Sequence, residues 1–133
     1  MAITFDTGRQ YPLVASADFV LGDLTSGEAV PLIKLPQGAT VIGGTLTIST
    51  VFNSTSSDAI DIGDDGDANR YTASPVSGQA LACTGLSLTG YTYSANNTVD
   101  ITWTSGGGTP TTGAGTVRVM YVLDGRSHEV QPT

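Results

Sequence analysis

The residues with the most chemical potential lie in the acidic run Asp58–Ala–Ile–Asp61–Ile–Gly–Asp64–Asp65–Gly–Asp67–Ala–Asn69. Within it, Asp65, Asp67 and Asn69 have the alternate spacing with which a calcium loop offers oxygen ligands. The match then fails. Arg70 stands where such a loop needs glycine, and Val76 stands where it needs a bidentate Glu. The run reads instead as an Asp/Gly-rich turn joining a strand at 60–62 to one at 69–72, with Arg70 pairing a nearby carboxylate. Asp65, Asp67 and Asn69 remain weak metal candidates, and no cofactor is expected.

Ser127, His128 and Glu129 include the ingredients of a hydrolase triad, but they are consecutive. In an extended chain, neighbouring side chains point to opposite faces, so the three cannot converge into a proton relay. One His and one Cys cannot assemble a multi-His or Cys/His metal cluster within a chain. Cys83, set among small residues in Ala80–Thr84, reads as a buried thiol. Gly106–Gly108 has no following Lys-Ser/Thr and no helix after it, so it is not a phosphate-binding loop. A carboxylate pair for glycoside hydrolysis is defined only by its separation in space. The 7% aromatic content leaves few platforms for sugar stacking.

The elements that would position these groups are strands. Period-two alternation sends every second side chain to one sheet face. In Gly115–Leu123, Val117, Val119, Tyr121 and Leu123 share a face opposite Arg118, Met120 and Val122. In Thr98–Thr104, Val99, Ile101 and Trp103 alternate with Asp100, Thr102 and Thr104. Thr40–Phe52 is expected to bury Ile42, Leu46, Ile48 and Phe52, with a bulge or bend at Gly43–Gly44. Shorter strands are expected at 17–21, 29–35, 60–62, 69–72 and 86–93, and at most one helical turn near 79–82. Seven to nine short strands separated by Gly, Asn, Asp and Pro predict an all-β, single-domain β-sandwich, with jelly-roll connections one way to link them. Residues 1–14 form an expected N-terminal arm, 15–124 the sandwich and 125–133 a C-terminal tail. Ser105–Gly115 is expected to be a flexible loop between two strands.

Composition narrows the partners. Of 133 residues, only 13% are charged, and the net charge is −7. Arg9, Lys34, Arg70, Arg118 and Arg126 are scattered, so direct nucleic-acid binding is not expected. No apolar run approaches a membrane span, and the first residues lack the pattern of a secretory signal. A charge-poor surface rich in Thr, Ser and Gly loses few hydrating ions when it meets another protein.

Four stretches resemble small tailed-bacteriophage head proteins: Leu35–Leu46, Asp61–Tyr71, Tyr91–Val99 and Gly115–Val122. The resemblance extends from about Ala15 to Glu129. It implies a decoration, or cement, protein, made in the host cytoplasm and sited on the capsid exterior. The implied partner is the major capsid protein, with self-association as a homo-oligomer, trimers being favoured, and no catalytic residues. Residues expected to make contacts are Phe5, Arg9 and Tyr11 in the arm and Gly106, Gly107 and Gly108 in the loop. Other readings are a head-fibre or tail protein, a calcium-dependent carbohydrate-binding sandwich, and a two-carboxylate hydrolase.

Overall fold

A computed structural model describes residues 9–126. Eight strands and one 3₁₀ turn follow in order: β1 (Leu13–Val20), the turn (Leu21–Asp23), β2 (Ala29–Leu35), β3 (Ala39–Thr50), β4 (Asp58–Gly63), β5 (Val76–Ser77), β6 (Ala82–Gly85), β7 (Asn97–Ser105) and β8 (Ala114–Leu123). They form two four-stranded antiparallel sheets, ordered β1-β8-β3-β6 and β2-β7-β4-β5. First pairs with last, second with seventh, third with sixth and fourth with fifth. A long antiparallel ribbon has rolled up until β8 also meets β3 and β7 also meets β4. That is the jelly-roll form of the β-sandwich.

The alternation in β7 and β8 works as the sequence predicts. Val99, Ile101, Trp103, Val117 and Val119 are buried between the sheets. In β3 the phase slips. A register shift between Val41 and Gly43 lets one extra residue into the strand. Val41 therefore turns inward at 3% exposure, while Ile42 lies on the outer face at 41%. Even spacing from Leu46 had assigned Ile42 to the core, but a bulge exchanges the two faces on its far side.

Other expectations also change. β7 and β8 lie in different sheets, so the 106–113 segment, expected as a flexible loop between strands, crosses the sandwich from one sheet to the other. Residues 69–71 form a turn, and no strand forms at 86–93: β6 ends at Gly85, leaving a single bridge between Thr40 and Thr92. β1 starts at Leu13, inside the stretch assigned to the arm. Cys83 is exposed, because it pairs with Thr47 and so shares that residue's outward side of the sheet, opposite the face of Leu46 and Ile48.

The core is centred on three rings. Phe52 lies 6.4 Å from Phe19 and 5.8 Å from Trp103, all three buried. Each large side chain withdrawn from water contributes about 2–3 kcal/mol. Gly115 makes room for one of them. A methyl group there would press on the Thr47 carbonyl and come within 2.6 Å of the Phe19 ring. Gly115→Ala is expected to cost about 1–3 kcal/mol through overpacking. A thermal melt tests this, and an unchanged Tm would show that the β3–β8 contact has slack.

Candidate functional site

Strand β4 carries a buried aspartate at its start, Asp58, and another, Asp64, immediately beyond its end. Six residues of extended chain put them roughly 20 Å apart, at opposite poles of the sandwich. Each collects donors from the loops around it.

At the first pole, Asp58 accepts from the Ser54 amide (3.0 Å) and hydroxyl (2.6 Å), Gln79 Nε2 (2.9 Å) and the Trp103 indole (2.8 Å). Burial alone would raise its pKa. The donors outweigh burial and hold the carboxyl below its ordinary 3.8. Ser54 also meets Ser105 at 2.8 Å, which ties the start of β4 to the end of β7.

At the second pole, Asp64 accepts from the amides of Gly66 and Asp67, both at 3.0 Å, and from the Tyr93 hydroxyl at 2.9 Å. It also forms a two-pronged ion pair with Arg70 Nε and Nη2. Its pKa is again lowered, burial being outweighed first by Arg70 and then by Tyr93. Because Tyr93 gives its proton to Asp64, Tyr71 must donate to Tyr93 across their 2.7 Å contact. Burial, and the bonds to Tyr71 and Asp64, push the Tyr93 phenol far above its usual range. The Arg70 guanidinium lies 3.7 Å from the centre of the Tyr91 ring, and Tyr91 packs edge-on against Tyr93 at 5.2 Å. Arg70 therefore has the carboxylate partner that the sequence anticipated.

This geometry leaves little for a cation. Asp65, Asp67 and Asn69 are exposed. Asp65 accepts from Asn97 Nδ2 (2.8 Å) and Asp67 from the Asn69 amide (3.2 Å). Among the described residues no three His, Cys, Asp or Glu side chains are placed to share a metal. The separation of Asp58 from Asp64 is also well beyond the roughly 5–9.5 Å of a glycosidase pair. One open groove is lined by Leu35, Pro36, Asn96, Asn97 and Thr98, with Lys34 as its one ionisable residue, and a second, along 72–76 and Thr84–Ser87, has none.

The expected contact residues do not converge. Phe5, like Ser127, His128 and Glu129, lies outside the described residues. Arg9 is partly buried, and Tyr11 is 64% exposed. Between them, the Gln10 amide mimics a strand partner, donating to the Leu123 carbonyl (2.6 Å) and accepting from the Leu123 amide (2.9 Å). The Gly106–Gly108 loop sits at the other end of β8, about 30 Å away. It is clamped rather than loose. Gly106 N donates to Ser57 O (2.7 Å), Thr55 N to Gly107 O (2.9 Å) and Ser56 Oγ to Gly106 O (2.6 Å). Gly107 and Gly108 have φ of 116° and 79°, which disfavour other residues, and a side chain at Gly106 would strike Ser56 and Ser57. Three glycines suggested looseness, yet here they permit close backbone contact.

The comparisons with known proteins agree with this architecture. No family model matches the chain, and no curated protein does. Among solved structures, a chain of the cyanophage Pam1 capsid asymmetric unit superposes with a TM-score of 0.72 at 26% identity, covering 92% of this chain and 94% of that one. A chain of the acid-stable capsid of Helicobacter pylori bacteriophage KHP30 gives 0.65 at 21% identity, over 86% and 89%. One from the capsid of Ralstonia phage GP4 gives 0.60 at 15%, over 95% and 92%. These neighbours are phage capsid proteins. The last two show shared fold alone, whereas the first adds some sequence likeness over nearly the whole length of both chains.

The buried acids make a pH prediction with opposite signs. Asp58 and Asp64 are lowered below 3.8, so the stability they contribute is present above that pH and is lost as pH falls through their folded values. Asp100, 7% exposed, is raised by burial and by Asp64 and Asp65 nearby, and its Thr98 hydrogen bond (2.6 Å) only partly compensates. Stability linked to Asp100 is greatest below 3.8 and declines as pH rises through its folded value. Asp64→Asn should cost about 3 kcal/mol near neutral pH by leaving Arg70 unpaired. Asp100→Asn should raise the neutral-pH Tm, with the gain vanishing in acid. Melting curves across this range decide both, and a lower neutral Tm for Asp100→Asn would contradict the assignment.

Proposed function

We propose that the protein is a phage virion structural protein of the decoration, or cement, type, which binds the outside of the assembled capsid and stabilises it without covalent bonds. One observation carries the reading: the likeness to a chain of a phage capsid asymmetric unit, 26% identical and covering more than nine-tenths of both chains. The likeness thus runs over nearly all of both chains.

Charge supports an exterior position. At −7, the chain is repelled by packaged phosphate, and its few cations form no stripe along which a nucleic-acid backbone could lie. The partner in this reading is the major capsid protein, with copies of the chain associating as a homo-oligomer. The poles fixed by Asp58 and Asp64 present preformed loops, so docking orders little new structure. Contacts would come from the arm side, with Phe5, Arg9 and Tyr11, and from the Gly106–Gly108 clamp at the other pole.

Purified protein mixed with expanded, empty heads should bind saturably, with many copies per shell and a higher melting temperature for the shell. A few copies per head would indicate a fibre or tail role, and bare heads would refute the proposal. Removing residues 1–8 should weaken binding while leaving the melt of the free protein unchanged, since β1 starts at Leu13 and Gln10 still holds Leu123. Equal occupancy by the truncated chain would eliminate the arm as a contact.

A further inference from the structure

The outer face of the β1-β8-β3-β6 sheet reads as successive rows across the strands. Alternation in β1 sends Val14, Ser16, Asp18 and Val20 outward. Register places Val20 beside Ala114 and Asp18 beside Thr116, then Ser16 beside Arg118 and Val14 beside Met120. Thr47 and Thr45 of β3 extend the two middle rows. Successive rows lie about 7 Å apart along the strands.

The order is thus apolar, acidic, basic, apolar. Asp18 and Arg118 are the only charges among the described strand residues of this face, so the face is neutral on a chain of −7. Asp18 accepts a 2.6 Å bond from Thr116, and Arg118 is exposed and forms no ion pair among the described residues. Val14 and Val20, at 69% and 50% exposure, are among the most exposed of the large hydrophobic side chains.

We infer that this face pairs with the same face of a second copy about a two-fold axis lying along the rows, between Asp18–Thr116 and Ser16–Arg118. The axis carries each inner row onto the other, so Arg118 meets the acidic row of the second copy, twice per pair. It also carries the Val20–Ala114 row onto the Val14–Met120 row, covering apolar surface with apolar surface. An isologous contact requires such self-complementarity. An acidic shell protein would match Arg118 but would leave Asp18 opposed. The pairing leaves the poles and sheet edges free for other contacts, and it goes beyond the capsid reading without depending on it.

Sedimentation equilibrium of the full chain should give a two-chain mass. Asp18→Arg and Arg118→Asp should each weaken association about 100-fold by creating two like-charge contacts per pair. The double swap should restore it. Mixing the two single variants should also restore association, since each supplies the charge the other needs; this arm distinguishes contact between chains from an effect within one. Unchanged melts of the isolated variants would establish that they fold. A wild-type monomer at roughly 100 μM, an assembly indifferent to the reversals, or a mixture that stays monomeric would overturn the inference. Because free protein is measured, bare shells would count against the capsid reading and not against the pair.

Discussion

A carboxylate taken out of water must find donors, and this fold meets that demand at both ends of one strand. Asp58 and Asp64 bracket β4, and each receives hydrogen bonds from segments distant in sequence. Desolvation opposes burial of either charge, and only a full set of donors offsets it. The requirement therefore acts on the loops. Ser54 and Gln79 have to reach Asp58, and the 66–70 turn has to fold back over Asp64. Loss of one donor would leave a buried charge partly unsatisfied, which costs more than the hydrogen bond would otherwise contribute.

The aromatic core and these polar clusters are one construction. Trp103 packs at a tilt against Phe52 and donates its indole proton to Asp58. Tyr93 is buried among apolar side chains, links Tyr71 to Asp64, and pairs through its backbone with Gly38 and Ala39 at the head of β3. Each ring fills volume and directs a donor at once, so its position is fixed by packing and by hydrogen-bond geometry together. This coupling explains how a sandwich with short edge strands holds long connections in place. The crossing segment 106–113 joins the two sheets and is held along 53–57 by backbone and side-chain bonds.

What could be read from the sequence follows from which interactions are local. Alternation identifies the inward faces of β7 and β8 because a buried strand must repeat every two residues whatever its neighbours are. The Asp/Gly turn and the pairing of Arg70 were also legible, since both partners lie within seven residues. Ile42 was misplaced because a bulge moves the phase by one, and where a bulge falls depends on the register with β8. Cys83 was misplaced because the face it takes is set by its pairing with Thr47 of β3, a contact far away in sequence. Beyond nearby Ser54, the donors to Asp58 come from Gln79 and Trp103, and no local pattern announces contacts over such separations. A usable hint did exist: an acid placed in phase with Ile60 and Ile62 points into the core, so it must have partners there.

The same distinction separates the two outer faces. On the β2-β7-β4-β5 side, Asp61, Asp100 and the 64–67 turn collect negative charge around β4 and β7, with Lys34 set apart on β2. On the β1-β8-β3-β6 side, hydroxyls and small apolar groups dominate, and the two charges cancel. Negative potential therefore extends from one side of the molecule, and an approaching acidic surface is turned away there before any contact forms. The neutral side has no such barrier and gives up little hydration when covered. A jelly roll makes that division possible because each sheet gathers strands from along the whole chain, so each outer face takes its residues from its own set of strands. One face can keep its charge while the other remains nearly free of it, on a core common to both.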